Sequence, residues 1–327
     1  MLVSSTGNRP ASMDDLIDSA LMARLDRLDL RTRKMFPGKL PGERRSKKRG
    51  QSVEFDDYRN YVPGDDLRFI DWNVYARLDR LFVKLFLEDE DLAVHVAIDA
   101  SASMDAGAPN KLRYAARLAM ALGYVGLVRQ NRVGISVFGK PNQTRLEHLP
   151  DARGRRNVRR LADFILASAF PDSDAAPVAQ GRASDRADFN GALTAIARQR
   201  VGKGVMVVLS DFLVPEGYET GLRSLAAAGG YDTYCLQLLA PAEIEPERAA
   251  EDGVAGDLRL TDIETGDARE VTVSAELIKA YKRRLEAYCT DLGSFCRSRE
   301  MTHMLVRTDT DQERLLMETF RKRGLLG

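Results

Sequence analysis

The chain has 327 residues, of which 44% are hydrophobic and 30% are charged, so it can bury a substantial core and is not expected to be disordered as a whole. Its formal net charge of +1, from 49 basic and 48 acidic residues, gives no general reason to expect nucleic acid or an anionic membrane as partner. The sequence shows no apolar segment of signal-peptide or membrane-spanning length, and its three cysteines fit a reducing compartment, so we expect a soluble cytoplasmic protein.

Residues 1–80 are predicted to form an N-terminal helix and a polar subdomain. Periodic apolar residues favour a helix over residues 13–35, and Pro37 and Gly38 end it. The basic run Arg44–Arg49 that follows is either a solvated loop or an anion or nucleic-acid contact. Beyond it, aromatic, acidic and arginine residues interleave around a Pro-Gly-Asp-Asp turn at 63–66. This texture predicts a small, irregular or β subdomain held by a polar network.

Residues 81–240 alternate between strand and helix patterns. Strands are predicted at 81–87, 92–98, 133–138, 144–149, 205–209 and 233–239. Helices are predicted at 111–130, 155–169, 189–200 and 218–228, with a polar loop at 170–187. Strands separated by helices predict an α/β fold in which a mostly parallel sheet has helices on both faces.

Residues 241–327 are predicted to form an extension that completes this fold. A break at 241–250 precedes a β-hairpin, whose strands lie at 258–262 and 270–273. A long helix at 275–299, a strand at 304–306 and a final helix at 312–323 follow. The sequence therefore divides into residues 1–80, 81–240 and 241–327.

Polar side chains follow two of the predicted strands. Asp99, Ser101 and Ser103 occupy alternate positions after one strand, and Asp211 follows the wholly apolar strand 205–209. Ligands of open parallel sheets gather at the carboxyl ends of the strands, so adjacent strands would bring these residues together. Serines and aspartates after strands also make turns and helix caps; the second strand-end aspartate favours a metal site. Two carboxylates and two hydroxyls suit Mg²⁺, Mn²⁺ or Ca²⁺ rather than zinc or copper.

These residues carry a family resemblance. The apolar strand, the Asp-Ala-Ser-Ala-Ser-Met segment from Asp99 and the later Leu-Ser-Asp211 resemble the von Willebrand factor A (vWA) domain and its metal-ion-dependent adhesion site. The upstream signature block, residues 53–77, resembles that of the bacterial domain-of-unknown-function 58 family, which carries it just before a vWA-like domain. This likeness extends over about residues 13–240.

The resemblance implies a Rossmann-like, vWA-type fold, a Mg²⁺ or Mn²⁺ ion on Asp99, Ser101, Ser103 and Asp211, and a protein partner. It implies that this partner is a MoxR-type AAA+ ATPase. One departure stands out, because Ala187 lies where vWA sites have a threonine ligand. Either Asp188 supplies an oxygen as a fifth contributor, or the site binds metal weakly or not at all.

The sequence supports an enzymatic function less well. Ser103, Asp211 and His303 follow the chain order of an α/β-hydrolase triad, but no Gly-x-Ser-x-Gly elbow occurs and His303 falls at the start of its strand. No phosphate-binding Gly-x-x-x-x-Gly-Lys loop occurs either. A metal-dependent phosphoesterase would use the two aspartates and a metal, but no base for it stands out.

We therefore predict a non-enzymatic vWA-like adapter that receives an acidic side chain of its partner on the open position of the metal. The alternatives are a metal-dependent phosphoesterase, a metal-independent scaffold and a nucleic-acid-binding protein, the last using Arg44–Arg49 and the arginines between Arg153 and Arg160. The signature block is either purely structural, with its arginines paired to Asp57, Asp65, Asp66 and Asp71, or a docking surface as well.

Overall fold

A computed structural model describes residues 9–32, 54–87, 92–140, 146–170, 188–199, 202–247, 256–261 and 268–327. The chain separates into two compact units, residues 35–91 and the remainder. These units divide the chain differently from the predicted boundaries, because residues 1–34 and 241–327 belong to the same unit as the central sheet.

The N-terminal segment forms two short helices, α1 (Met13–Leu16) and α2 (Ser19–Leu25), so the single helix predicted over 13–35 is wrong. Ile17 is extended, and the Asp18 side chain then caps α2 by accepting the Leu21 N–H at 2.7 Å. The apolar residues whose spacing suggested one helix are divided between two helices and the extended segment after them. The leucines in all three parts are buried.

In the described residues of the smaller unit, a two-stranded antiparallel sheet accompanies one α-helix and one short 3₁₀ helix, Leu67–Phe69. The strands are β1 (Glu54–Asn60) and β2 (Phe82–Leu87), and the helix between them is α3 (Trp72–Leu78). Asp71 caps α3, its Oδ1 accepting the N–H groups of Asn73 and Val74. This agrees with the predicted small subdomain of β and irregular structure.

The larger unit is built on a six-stranded sheet with the order β10-β7-β6-β3-β4-β5. Only the β4–β5 pair is antiparallel among these neighbours, which confirms the mostly parallel sheet. A separate hairpin, β8–β9, forms where it was predicted. The strands are β3 (Ala93–Asp99), β4 (Arg132–Phe138), β5 (Glu147–Ala152), β6 (Gly204–Ser210), β7 (Tyr231–Leu239), β8 (Gly256–Thr261), β9 (Ala268–Val273) and β10 (Thr302–Arg307).

Helices cover both faces of this sheet, as predicted. The helices are α4 (Lys111–Val128), α5 (Val158–Ala169), α6 (Phe189–Gln199), α7 (Glu219–Ala227), α8 (Pro241–Ile244), α9 (Ala275–Arg297), α10 (Gln312–Arg314) and α11 (Phe320–Lys322), with a π turn (Leu315–Thr319) before the last. One face packs on α4, α5, the N-terminal helices and the C-terminal segment; the other packs on α6, α7 and α9. Since strand side chains alternate between faces, Val96 and Ile98 enter the first core while Ala97 enters the second.

Strand β5 corrects a predicted boundary. The expected strand 144–149 ended at Pro150, whereas β5 runs from Glu147 to Ala152 and contains that proline. Because β5 is the last strand of the sheet, a residue without an N–H is tolerated there. None of the helices that the structure describes has both the length and the apolar character needed to cross a bilayer.

Candidate strand-end site

The two strands that precede the predicted ligands lie side by side. β3 pairs with β6 in parallel, and Ile98 stands opposite Leu209. Asp99 ends β3, and Asp211 directly follows β6. The parallel register therefore brings both aspartates to the carboxyl edge of the sheet, as the sequence predicted.

The Asp99 carboxylate is buried and held from both sides. Its Oδ1 accepts the Ser101 N–H at 2.9 Å, and its Oδ2 accepts the Ser210 hydroxyl at 2.6 Å. The Ser210 hydroxyl in turn accepts the Phe212 N–H at 2.9 Å. Ser210, which was not among the predicted ligands, links the two strand ends directly.

Ser101 and Ser103 present their hydroxyls together. The two Oγ atoms lie 3.1 Å apart, and both residues are half-buried. A tight turn orients them, because the Ser101 carbonyl accepts the N–H groups of Met104 and Asp105. A loop that follows a strand therefore turns two alternate side chains toward one point.

Asp211 lies on a strained and well-anchored loop. The next residue, Phe212, has a left-handed φ of 57°, which is costly for a residue with a Cβ. Its carbonyl accepts the Tyr288 hydroxyl at 2.6 Å, while the Gln237 amide donates to the Asp211 carbonyl at 3.1 Å. These two hydrogen bonds, from α9 and β7, fix the backbone that carries the carboxylate.

A buried lysine that sequence analysis missed contacts this carboxylate. The Lys111 side chain is 1% exposed, and its Nζ lies 2.9 Å from Asp211 Oδ2 and 2.6 Å from Glu243 Oε1. Lys111 is the first residue of α4, and Glu243 belongs to α8, which follows β7. Apart from a polar residue at a helix start, the local sequence gives no signal for this ion pair.

The site carries more negative than positive charge. Among the described residues linked in this cluster, the carboxylates of Asp99, Asp211 and Glu243 accompany the ammonium of Lys111, which leaves an excess of two negative charges when all are ionised. Burial, and then the charge of Asp211, raises the pKa of the Asp99 carboxyl to about 6. Burial also lowers the pKa of Lys111, but Asp211 and Glu243 outweigh this effect, and the net pKa lies above its ordinary value.

The donor atoms fit a hard divalent cation. Ligands of Mg²⁺ lie at ~2.1 Å in octahedral geometry, which places adjacent ligands ~3.0 Å apart, and the two serine Oγ atoms are separated by 3.1 Å. The two Asp211 oxygens each accept one hydrogen bond, from the Leu213 N–H and from the Lys111 ammonium, so each keeps a second lone pair. Within the described part of the chain, no group of three or more histidine, cysteine, aspartate or glutamate side chains is arranged to hold a metal. The candidate site therefore depends on its two hydroxyls.

Asp188, the predicted fifth contributor, is exposed at the start of α6, where its Oδ1 accepts the Asn190 N–H at 3.1 Å. The neighbouring Phe189 packs edge-on against Phe138 and Phe212, the latter next to Asp211. Ala187 lies outside the described residues. Asp188 thus acts as a helix cap beside the residues that support the site.

His303, the histidine in the hydrolase-like chain order, forms a structural hydrogen bond. His303 is the second residue of β10, as expected, and its Nε2 lies 3.0 Å from Gln237 Oε1. Because the Gln237 amide nitrogen already donates to the Asp211 carbonyl, its oxygen faces His303, and Nε2 carries the proton. Burial lowers the pKa of His303 to about 4. The ring thereby supports the Asp211 backbone through Gln237.

The two basic segments have different outcomes. Arg44–Arg49 lies outside the described residues. In the second segment, Arg155 forms an ion pair with Asp26 and stacks on the Tyr124 ring, 5.8 Å from its centroid, whereas Arg156, Arg159 and Arg160 are exposed. One arginine of this patch therefore tethers the N-terminal segment to α4 and α5.

Of the four aspartates predicted to pair with arginines in the signature block, Asp65 and Asp66 do so, while Asp57 accepts the Tyr58 N–H. Arg59 pairs with Asp65 at 2.8 Å, and Arg68 pairs with Asp66 at 2.6 Å. Asp71, expected to pair with an arginine, instead contacts Lys84 at 2.9 Å and accepts the Tyr58 hydroxyl. These contacts form a polar frame within the smaller unit.

Apolar side chains of the same unit remain exposed. Trp72 and Leu78 are each 60% exposed, and Tyr75, which meets Trp72 edge-on, is 39% exposed. Spacings of three residues place all three along one side of α3. Leu67 and Phe69 just before α3 are also exposed.

A mostly parallel sheet, helices on both faces and polar side chains gathered at the carboxyl ends of two central strands define an α/β protein with a strand-end site. The chain belongs to the DUF58 family of proteins of unknown function, whose family model matches residues 57–289.

Relatives extend over almost the whole chain. The uncharacterized protein Mb1516 of Mycobacterium bovis and the uncharacterized protein Rv1480 of Mycobacterium tuberculosis are each 29% identical over 307 residues, which is 92% of this chain and 90% of theirs. Among solved structures, the conserved hypothetical protein BatB from Bacteroides thetaiotaomicron is similar with 15% identity and a TM-score of 0.39, covering 71% of this chain and 98% of that chain. An aerotolerance-related membrane protein from Bacteroides fragilis has 16% identity and a TM-score of 0.40, covering 71% of this chain and 97% of that chain.

Proposed function

We propose that this protein is a non-enzymatic, vWA-like adapter that binds a protein partner through a divalent cation at the strand-end site. The observation that carries the proposal is the meeting of Asp99, Ser101, Ser103 and Asp211 at the carboxyl ends of two adjacent parallel strands. Mg²⁺ or Mn²⁺ matches this set of hard oxygen donors.

Charge favours the same proposal. The two negative charges left over beside Lys111 equal the charge of one divalent cation. Burial and the charge of Asp211 raise the pKa of Asp99, so a cation bound beside it would stabilise its ionised form. Neutral serine ligands leave the cation with affinity for one more anionic oxygen, which an acidic side chain of a partner would supply.

The partner that we propose is a MoxR-type AAA+ ATPase, as the family resemblance implies. This sequence carries no phosphate-binding Gly-x-x-x-x-Gly-Lys loop, so ATP turnover would belong to the partner. Trp72 and Tyr75 are exposed aromatic side chains of the types that dominate binding energy at interfaces, and the exposed Leu78 extends the same apolar surface. We propose this side of α3 as a second contact for the same partner.

Metal titration tests the first part of the proposal. Isothermal titration of EDTA-stripped protein with Mg²⁺ and Mn²⁺ should show saturable binding at one site, and Asp99→Ala should weaken it at least tenfold while its circular dichroism spectrum persists. Asp232→Asn is the matched control, because Asp232 is equally buried but lies at the amino ends of the strands. Absence of binding in folded wild-type protein would contradict the metal site.

Partner binding tests the second part. Purified adapter and purified MoxR-type ATPase from the same organism should associate in Mg²⁺, and Asp99→Ala should weaken the association at least tenfold in the same buffer. Keeping Mg²⁺ constant matters because the ATPase itself needs it with nucleotide. Equal association of Asp99→Ala and wild type would indicate a metal-independent scaffold.

A further inference from the structure

Two features of its position disfavour a positive charge on Lys111. It is the first residue of the 18-residue helix α4, where the helix dipole repels positive charge. Its side chain is also 1% exposed, so the ammonium has lost its hydration. Only strong compensation keeps a charged lysine in such a position.

That compensation is built from distant parts of the chain. Asp211 Oδ2 comes from the end of β6, and Glu243 Oε1 comes from α8, at 2.9 and 2.6 Å from Nζ. Glu243 is oriented, since its second oxygen accepts the Ala240 N–H at 2.7 Å and its carbonyl accepts the Tyr281 hydroxyl at 2.9 Å. The arrangement aims two carboxylates at one ammonium immediately beside the candidate metal ligands.

We infer that Lys111 is a tethered internal cation that shares the Asp211 carboxylate with the divalent metal and so limits the affinity of the site. This inference rests on the proposed function. Nζ occupies one lone pair of Asp211 Oδ2, so a metal on the same carboxylate would lie close to the ammonium, and the two like charges repel through a poorly hydrated space. Glu243 moderates this repulsion because it also binds Nζ, so that the ammonium is not held by Asp211 alone.

In the proposed mechanism, the same lysine also compensates the carboxylates when no metal is bound. Removing a divalent ion from two buried carboxylates would leave them without compensation, but Lys111 neutralises one charge in place. The adapter thus has two states of one site, with the tethered cation alone or with the metal added. Weak, reversible metal occupancy follows from this competition.

The first experiment compares Mn²⁺ and Mg²⁺ titrations of wild type and Lys111→Met. We expect binding at least tenfold tighter in Lys111→Met, because methionine is unbranched and only one atom shorter than lysine, and it removes the competing charge. Lys203→Met is the control for a general loss of positive charge, since Lys203 is exposed and precedes β6 at the opposite edge of the sheet; it should bind as wild type does.

A second pair of variants guards against misfolding. Glu243→Gln leaves Lys111 with Asp211 alone and should weaken metal binding about three- to tenfold. Lys111→Met/Glu243→Gln removes opposite charges together, and it should bind more tightly than Glu243→Gln. Equal affinities of wild type and Lys111→Met, or of Glu243→Gln and the double variant, would overturn the role of Lys111 and leave the metal site standing. Absence of binding in all the folded proteins would overturn both.

Discussion

At the scale of single residues, Gly139 controls the space around Asp99. Its φ is +77°, and a Cβ there would lie 2.8 Å from Asp99 Oδ1 and 3.3 Å from the Ser101 N. The residue directly follows β4, the neighbour of β3. Only glycine allows the two strand ends to approach while the carboxylate keeps its hydrogen bond to Ser101.

Gly139→Ala should therefore lower the free energy of unfolding and weaken metal binding. The left-handed conformation costs alanine ~1–2 kcal/mol, and displacement of the buried carboxylate brings the expected loss to about 2–3 kcal/mol. Urea denaturation measures it. Gly229→Ala is the control, because Gly229 has a φ of +61° with nothing within 4 Å of an added Cβ. Its free energy of unfolding should fall only by the cost of placing alanine in the left-handed conformation. Equal losses in the two variants would show that the contact with Asp99 is unimportant.

His303 predicts a pH dependence of stability. Its pKa is lowered by burial from 6.5 to about 4, so below pH 6.5 the unfolded chain takes up a proton that the folded ring refuses. Stability is thus complete above the unfolded pKa and falls as the pH drops toward 4. A shift of this size corresponds to about 3 kcal/mol, and partial exposure of the ring reduces the expected effect to about 1–2 kcal/mol.

The measurement is the urea midpoint of wild type and His303→Gln between pH 7 and 4.5. Glutamine keeps an N–H donor for Gln237 but does not titrate, so the variant should lose less stability over this range. Native carboxylates with lowered pKa values, such as Asp26, affect both proteins alike. Parallel pH profiles would show that His303 is protonated as easily in the folded protein as in the unfolded chain.

The sequence predicted that the four candidate residues lie at one edge of the sheet, but it did not predict the counter-charge beside them. Asp99, Ser101, Ser103 and Asp211 were predictable because parallel strands end at one edge of a sheet, whichever helices connect them. Lys111 and Glu243 belong to segments assigned only as a helix start and a break. Their ion pair spans 132 positions in the chain and depends on where α8 leaves β7. Local patterns carry no information about such a contact.

At the scale of elements, α3 is a helix whose exposed side is apolar. Trp72 and Tyr75 pack against each other rather than into a core. Asp71 at the N-cap and the left-handed Asp79 after Leu78 limit the helix to two turns. A short, capped helix of this kind holds its aromatic side chains in place before a partner arrives, which reduces the entropy lost on binding.

Trp72→Ala should weaken association with the MoxR-type ATPase by about 2 kcal/mol, or about thirtyfold in Kd, without changing Mn²⁺ binding. Biolayer interferometry with the purified partner measures this change. The matched control is Leu305→Ala, since Leu305 is a similarly exposed apolar residue on strand β10 of the larger unit, and it should bind as wild type does. An unchanged Kd for Trp72→Ala would assign the signature block a structural role only.

Element boundaries were least predictable where neighbours in space override local pattern. Leucines with helical spacing continue past Leu25, yet residues 26–32 leave the helix because Asp29 and Arg31 exchange backbone hydrogen bonds with Leu325 and Gly327. Because proline lacks an N–H, Pro150 predicted the end of a strand. At the edge of the sheet, however, a residue without an N–H is tolerated within the strand. In both cases a partner distant in sequence decided the outcome.

At the scale of the whole molecule, residues 9–32 and the C-terminal segment complete one core. Leu30 forms an antiparallel bridge with Leu326, and both are almost fully buried on the face of the sheet that α4 covers. Arg155 and the Tyr124 hydroxyl meet on Asp26 nearby, which fastens the same N-terminal segment. Residues 9–32 are thus part of the sheet domain and not an appendage to the signature block.

A double-mutant cycle on Leu30 and Leu326 checks this closure. Leu30→Ala and Leu326→Ala should each cost about 2–4 kcal/mol, and together they should cost less than the sum by at least ~0.5 kcal/mol, because the second substitution enlarges a cavity that already exists. Leu225 is the control partner, since it is equally buried but lies in the core on the other face of the sheet. Leu30→Ala and Leu225→Ala should add within ~0.5 kcal/mol. Strict additivity of the Leu30 and Leu326 substitutions in urea denaturation would mean that the two chain ends are stabilised independently, and the N-terminal segment would then be a separate element resting on a complete domain.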